Sequence, residues 1–146
     1  MKTLIFKIQL ADDKKVSREI EAVGNTTLYK LAETITRAYD FYFDHCFGFY
    51  SNIDGWYNES KEQYDLFTDL DDVEPTGAKS VKKTKIADVW KKTGDKMLFL
   101  FDYGDKWYFI VTFKRVGEKI TGEKYPRILV KKGKSPEQYP SIEDER

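Results

Sequence analysis

Few side chains in this sequence could carry chemistry, and their types restrict what that chemistry could be. His45 is the single histidine, so any histidine-dependent proton transfer has to pass through it. Cys46, the single cysteine, follows it directly and raises a Cys–His dyad. Neighbouring residues of a strand point to opposite faces, however, so a base and a nucleophile adjacent in sequence do not reach one another there. A hydrogen-bonded structural histidine beside a small buried apolar cysteine is the simpler reading. Asp102, Asp105 and Trp107 form a second group: two carboxylates beside an aromatic plate, which with Arg127 could line a ligand cleft. The plainer account makes Asp105 a turn residue and has Asp102 accept hydrogen bonds from the backbone or from Trp107. With Tyr125 next to Arg127, the candidate binding set is His45, Asp102, Asp105, Trp107, Tyr125 and Arg127. No complete catalytic constellation emerges, and no catalytic residue is assigned.

Metal and phosphate motifs fail on inspection. A structural zinc site takes about four ligands, mostly nitrogen and sulfur, and the chain offers one histidine and one cysteine. The acidic run Asp69-Leu-Asp71-Asp72-Val-Glu74 lacks the glycine and the spaced final glutamate of a calcium loop. In Gly117-Glu-Lys-Ile-Thr-Gly122-Glu123-Lys124 a carboxylate occupies the lysine position of a phosphate loop, where it would repel phosphate. No cofactor and no metal are expected. Lys79, Lys82, Lys83 and Lys85 could contact phosphates and are the candidate nucleic-acid set. Four lysines without interleaved aromatics read more simply as a solvated segment.

Charge balance points the same way. Lysine plus arginine and aspartate plus glutamate number 25 each, whereas a general nucleic-acid binder draws its affinity from a basic excess. The 146 residues and 40% hydrophobic content, aromatics included, suit one folded domain with a real core. A lone cysteine excludes an internal disulfide and suits a reducing compartment. The N-terminus alternates like a strand instead of holding the unbroken apolar core of a signal peptide. No apolar run approaches the ~20 residues that a membrane helix needs. A cytoplasmic protein with no membrane association is expected.

The elements that must position the candidate residues follow from periodicity. Leu4, Phe6, Ile8 and Leu10 alternate as a first strand, and Val16, Arg18, Ile20 and Ala22 as an antiparallel second. Thr26 or Thr27 caps a helix whose apolar face is Leu28, Leu31, Ala32, Ile35, Ala38 and Tyr39. A third strand lies near Phe47 to Tyr50, and a polar insertion loop spans about 61–85. A short helix carries Ile86, Val89 and Trp90. The central feature is the stretch from Met97 to Phe113, two apolar strands read as a hairpin around a two-residue turn, Gly104-Asp105, of the type that starts with glycine at positive φ. That register sets Asp102 opposite Trp107, Leu100 opposite Phe109 and Leu98 opposite Val111. Ile128 to Val130 adds an edge strand guarded by Lys131 and Lys132. The expected organisation is a single domain over 1–134 and a poorly ordered tail over 135–146. The expected fold is α+β: a β-grasp (ubiquitin-like) arrangement of a mixed sheet with one long helix, plus a C-terminal β-hairpin extension.

Three blocks resemble the plasmid ORF-3-like family, named after a root-inducing plasmid, whose members are often labelled transposon passenger or resolvase-like proteins and have no established activity. The first is Val23-Gly-Asn-Thr-Thr-Leu28 with its helix, continuing through Asp44-His45 to Phe49. The second, and most specific, is Phe101-Asp102-Tyr103-Gly104-Asp105-Lys106-Trp107. The third is Tyr125-Pro126-Arg127, followed by Pro136-Glu137. This sequence departs from the family pattern at three places: Phe47 stands where a second histidine is typical, Phe109 where another is frequent, and Ser135 near a common cysteine. If those histidines form a metal or acid–base site in other members, this one has lost it. Nothing here resembles the catalytic set of a serine recombinase. Three functional expectations follow, in turn from the β-grasp-like order with no catalytic set, from the family's labels with the basic lysines, and from the residues at the hairpin tip. First comes a non-catalytic module binding a protein or other macromolecular partner. The alternatives are a DNA-associated accessory protein of a mobile element, and a small enzyme or metabolite binder with its site at the Asp102–Trp107 hairpin tip.

Overall fold

The computed structural model describes residues 1–71, 74 and 76–140. Alternation at the N-terminus produces β1 (Lys2–Leu10) and β2 (Asp13–Val23), paired antiparallel with Phe6 opposite Ile20 and Ile8 opposite Arg18. Helix α1 (Leu28–Ala38) follows; Thr27 Oγ1 accepts from the Lys30 backbone N–H, which satisfies one of the orphan donors of the first turn. Leu28, Leu31, Ala32, Ile35 and Ala38 are fully buried, and the helix ends at Asp40, which takes the left-handed conformation at φ 61.

The chain continues through β3 (Phe47–Tyr50), β4 (Gln63–Asp65), β5 (Lys79–Ser80), the one-turn helix α2 (Ile86–Val89), β6 (Lys96–Phe101), β7 (Trp107–Glu118) and β8 (Arg127–Lys132). Among the described residues these strands form one eight-stranded sheet in the order β5-β4-β3-β6-β7-β1-β2-β8. All neighbours are antiparallel except the edge pair β4–β5. The molecule is therefore α+β, with few helices and a sheet larger than the ubiquitin-like plan read from the order of elements. The opening hairpin and the helix after it stand where periodicity placed them.

One face of the sheet packs on α1 and α2 through an aromatic core in which Phe6, Phe47, Phe49, Phe99, Phe101 and Phe109 are fully buried. Trp90 lies edge-on to Phe6 at 4.8 Å and donates its indole N–H to the Val111 carbonyl at 3.1 Å. The opposite face holds a smaller cluster of Tyr50, Leu98 and Leu100, with Tyr57, Tyr103 and Tyr108 packed against it. Strand β6 lies between β3 and β7 and is buried on both faces from Met97 onward, as expected for a central strand.

The hairpin register differs from the expected one. Phe101 pairs with Trp107, Leu100 with Tyr108, Phe99 with Phe109 and Leu98 with Ile110, a slip of one residue that exchanges every cross-strand partner. The loop accordingly runs over 102–106. Its left-handed residues are Asp102 (φ 68) and Lys106 (φ 56), not Gly104. The reason is the Asp102 side chain: its Oδ1 accepts from the Gly104 N–H at 3.0 Å and the Asp105 N–H at 3.2 Å, and its carbonyl accepts from the Lys106 N–H at 2.6 Å. An aspartate that folds the turn through its own carboxylate can take positive φ, and Gly104 need not.

The stretch between 61 and 85 carries β4 and β5 at the sheet edge. Buried Asp65 organises it, accepting from Thr68 N–H and Oγ1 and from Thr76 Oγ1. Residues 135–140, expected to be poorly ordered, pack against the chain between α1 and β3, and Gln138 is buried there. The remainder of the expected tail, 141–146, lies outside the described residues.

Candidate functional site

His45 reaches the hairpin tip through strand register. Phe47 pairs with Phe101 at the ends of β3 and β6, and the Asp102 N–H extends that ladder to the Cys46 carbonyl at 2.9 Å. His45 is thereby set beside Asp102, with its Nε2 3.3 Å from Asp102 Oδ2. Asp44 Oδ1 lies 3.7 Å from the same nitrogen, and the Tyr139 hydroxyl oxygen lies 2.6 Å from it. Tyr139 O–H donates to Asp44 Oδ2 at 2.7 Å, which leaves its oxygen to accept from His45 Nε2–H. Nδ1 has no hydrogen-bond partner among the described residues. Partial desolvation, and then the hydrogen bond to Asp44 with the charges of Asp44, Asp102 and Asp105, push the Tyr139 phenol up to about 12. Tyr139 is thus a neutral donor at ordinary pH.

Asp102 divides its labour. It is only 5% exposed; one carboxylate oxygen folds the turn and the other faces His45. The adjacent residues Asp105, Lys106 and Trp107 line a cleft of about 440 Å³ together with Asp12 from the β1–β2 turn and Gln138 and Tyr139 from the C-terminal segment. The Asp12 and Asp105 carboxylates have no ion-pair or hydrogen-bond partner among the described residues. Trp107 stacks edge-on against Phe41 at 4.9 Å, and its buried indole N–H has no partner among the described residues.

Other candidates lie elsewhere or lack reactivity. Cys46 is partly buried, and burial together with the charge of Asp65 raises its pKa. A thiol kept protonated is a poor nucleophile, and no hydrogen bond links it to His45. Arg127 pairs with Glu21, Nη2 to Oε1 at 2.8 Å, and lies over the Tyr125 ring; the Tyr125 hydroxyl accepts from Ile120 N–H. Glu21 is opposite Ile5, which is opposite Arg115. Arg115 lies eight residues along β7 from Trp107, so Tyr125 and Arg127 stand roughly 25 Å from the hairpin tip at the usual rise per residue. They belong to a structural ion pair and not to the cleft. Lys79 and Lys82 lie over the Tyr64 and Tyr29 rings, and Lys83 N–H bonds Ser80. Lys85 opens α2. Asp69 sits among them, accepting from Ser80 and from the Lys82 N–H, which offsets the basic field.

Asp12, Asp44, Gln138 and Tyr139 are the residues that periodicity could not have put here. Tyr139 is 94 positions from His45, and its segment has the proline and charge content of an unstructured tail.

A family model described as plasmid pRiA4b ORF-3-like protein matches residues 2–140. The chain belongs to this family. Among solved structures, this ORF-3-like protein is similar to a protein of unknown function from Methanosarcina mazei Go1. The TM-score is 0.71 at 20% sequence identity, over 92% of this chain and 71% of that one; at that identity the likeness concerns the fold alone. No curated protein matches the chain. Phe47 and Phe109, expected from the resemblance to be two departures from the family pattern, are fully buried on either side of Phe99. They extend the apolar core and hold no proton.

Proposed function

We propose that the protein is a binding module whose recognition site is the cleft at the hairpin tip, and that it takes a small molecule carrying a protonated amine. The observation that carries this reading is the placement of two carboxylates without a partner among the described residues, Asp12 and Asp105, around the indole of Trp107 in one cleft. An ammonium group against an indole face gains about 0.5–2 kcal/mol, the upper end when water is excluded, and a carboxylate within reach adds charge complementarity. Lys106 is the one cation among the residues named for the cleft, against those two anions. Asp44, His45 and Asp102 stand behind it and, with the Tyr139 hydroxyl bonded to them, form its polar wall. This reading takes up the metabolite-binder alternative at the Asp102–Trp107 hairpin tip, in place of the macromolecular interaction module, and gives it a ligand of stated chemistry.

The test is a titration of the isotope-labelled full chain with n-butylammonium, followed at the Trp107 indole and the Asp105 amide. A saturable shift that weakens by roughly threefold to tenfold in Asp12→Asn and in Asp105→Asn is expected. A shift that does not saturate, or one that both variants leave unchanged, would sink the reading.

A further inference from the structure

The C-terminal segment that forms one wall of the cleft is attached to the molecule in an unusual way. After β8 the chain turns at Gly133, held at φ +82 so close to β2 that a Cβ would meet Val16 Cα at 3.0 Å. It then crosses the end of the sheet over 134–140 with no backbone–backbone hydrogen bond among the described residues. Side chains hold it instead, at three points. Ser135 Oγ accepts from Arg18 Nη2 at 2.8 Å and donates to Asp40 Oδ2 at 2.7 Å. The Gln138 amide mimics a strand partner for Tyr42, accepting from its N–H at 2.7 Å and donating to its carbonyl at 3.2 Å. Tyr139 closes the row on Asp44 and His45. Beside the ligand cleft, two further clefts of about 540 and 560 Å³ flank the same segment. It is a strap held by side-chain hydrogen bonds in place of a backbone ladder.

We infer that residues 134–140 are a lid on the cleft, hinged at Gly133 and latched by Ser135, Gln138 and Tyr139, which opens without unfolding the sheet. The latch is coupled to the cleft floor through a short path. Tyr139 bonds His45; His45 faces Asp102 Oδ2; and Asp102 Oδ1 folds the turn that presents Asp105. A group seated between Asp105 and the Tyr139 ring touches the cleft floor and the lid at once, so occupancy favours the closed state. This inference rests on the reading of the cleft as a ligand site.

The Tyr42 amide provides the readout, because its acceptor is the Gln138 side chain and it loses protection when the strap lifts. Hydrogen exchange of that amide is measured by NMR in the full chain, wild type and Tyr139→Phe, beside the Leu100 and Phe109 amides of the central strands. Tyr139→Phe keeps the ring in the cleft wall and removes the hydroxyl's bonds to Asp44, His45 and Gln138. Tyr42 exchange on the order of tenfold faster, with the central strands unchanged, is expected. Saturating n-butylammonium should slow Tyr42 exchange in the wild type. Tyr42 exchange that is unmoved by Tyr139→Phe, or that matches the slowest central amides and so requires global unfolding, overturns the lid. A saturable Trp107 shift with unchanged Tyr42 exchange also overturns it and leaves the cleft standing. A Trp107 indole blind to the probe fails the cleft reading itself, while the response of Tyr42 to Tyr139→Phe still decides whether the strap opens locally.

Discussion

His45 Nε2 stands 3.3 Å from Asp102 Oδ2 while Asp102 Oδ1 holds the two amides of the hairpin turn. One buried carboxylate thus fixes both the loop that carries Asp105 and the ring that anchors Tyr139. Replacing it separates these roles. Asn accepts the same turn hydrogen bonds and tolerates positive φ, whereas Ala loses the bonds and is strained at φ 68. Asp102→Ala should cost about 2–3 kcal/mol in urea unfolding, and Asp102→Asn clearly less, from the lost turn bonds and the strain together. Equal losses in the two variants would show that charge, and not the turn, dominates.

Arg18 is the second buried hub. At 2% exposure it donates to the carbonyls of Ala38, Ser17, Lys132 and Gly133 and to Ser135 Oγ, and its guanidinium lies 4.5 Å above the Tyr39 ring. These bonds tie the end of α1, β2, β8 and the strap to one planar fork. Lysine brings three donors on a point charge and cannot cover the same set. Arg18→Lys should cost roughly 2–4 kcal/mol, because buried carbonyls lose their partners. A chemical melt within a few tenths of a kcal/mol of wild type would contradict that accounting.

Arg18 also shows how much was legible in advance. The alternation Val16, Arg18, Ile20, Ala22 put it on the inward face, and it is inward. Helix α1, its Thr27 cap, β1, β2, β3 and the edge strand β8 followed from periodicity in the same way, since each depends on residues close in sequence. The hairpin register did not, because a glycine at the turn was read as the residue needing positive φ and the self-capping capacity of Asp102 outweighed it. The strap escaped because its order comes from Gln138, Tyr139 and Ser135 meeting residues nearly a hundred positions away. Of the candidate site, His45, Asp102, Asp105 and Trp107 were visible as residue types at one strand end. Tyr125 and Arg127 are chemically similar, and only the register of β8 on β2 assigns them to the far end of the sheet.

Glu19 gives a pH dependence of known sign. Burial works against its carboxylate, but the hydrogen bonds and charges of Lys114 and Arg115, at 2.9 and 3.2 Å, outweigh it and hold the pKa below the ordinary 4.5. A depressed folded pKa contributes stability that is present above the unfolded value and lost as pH falls through the folded one. Glu19→Gln should therefore lower stability at about pH 7, and the gap to wild type should close on acidification below 4.5. Urea melts across that range test it; a gap that widens in acid would reverse the sign. The pair lies at the surface, so ~0.5 M salt should shrink the gap too.

Gly48 sits where β3 passes the second aromatic cluster, and its missing side chain makes room for a tyrosine pair. The Tyr50 and Tyr103 hydroxyls are 2.6 Å apart, and a Cβ on Gly48 would lie 2.7 Å from each hydroxyl oxygen and 2.8 Å from Tyr50 Cε2. Burial pushes the Tyr50 phenol up to about 12, against the lowering effect of its bond to Tyr103, and burial followed by the proximity of Tyr50 raises Tyr103 as well. Raised folded pKa values contribute stability that is present below the ordinary phenol value near 10 and lost as pH climbs through the folded one. Gly48→Ala must push the pair apart or shift the strand, at a cost of about 1–3 kcal/mol. Two phenols should then titrate nearer to 10 in the ultraviolet phenolate band, earlier than in the wild type. Lost stability with an unaltered phenolate titration would place the strain in the backbone of β3 and leave the tyrosine pair intact.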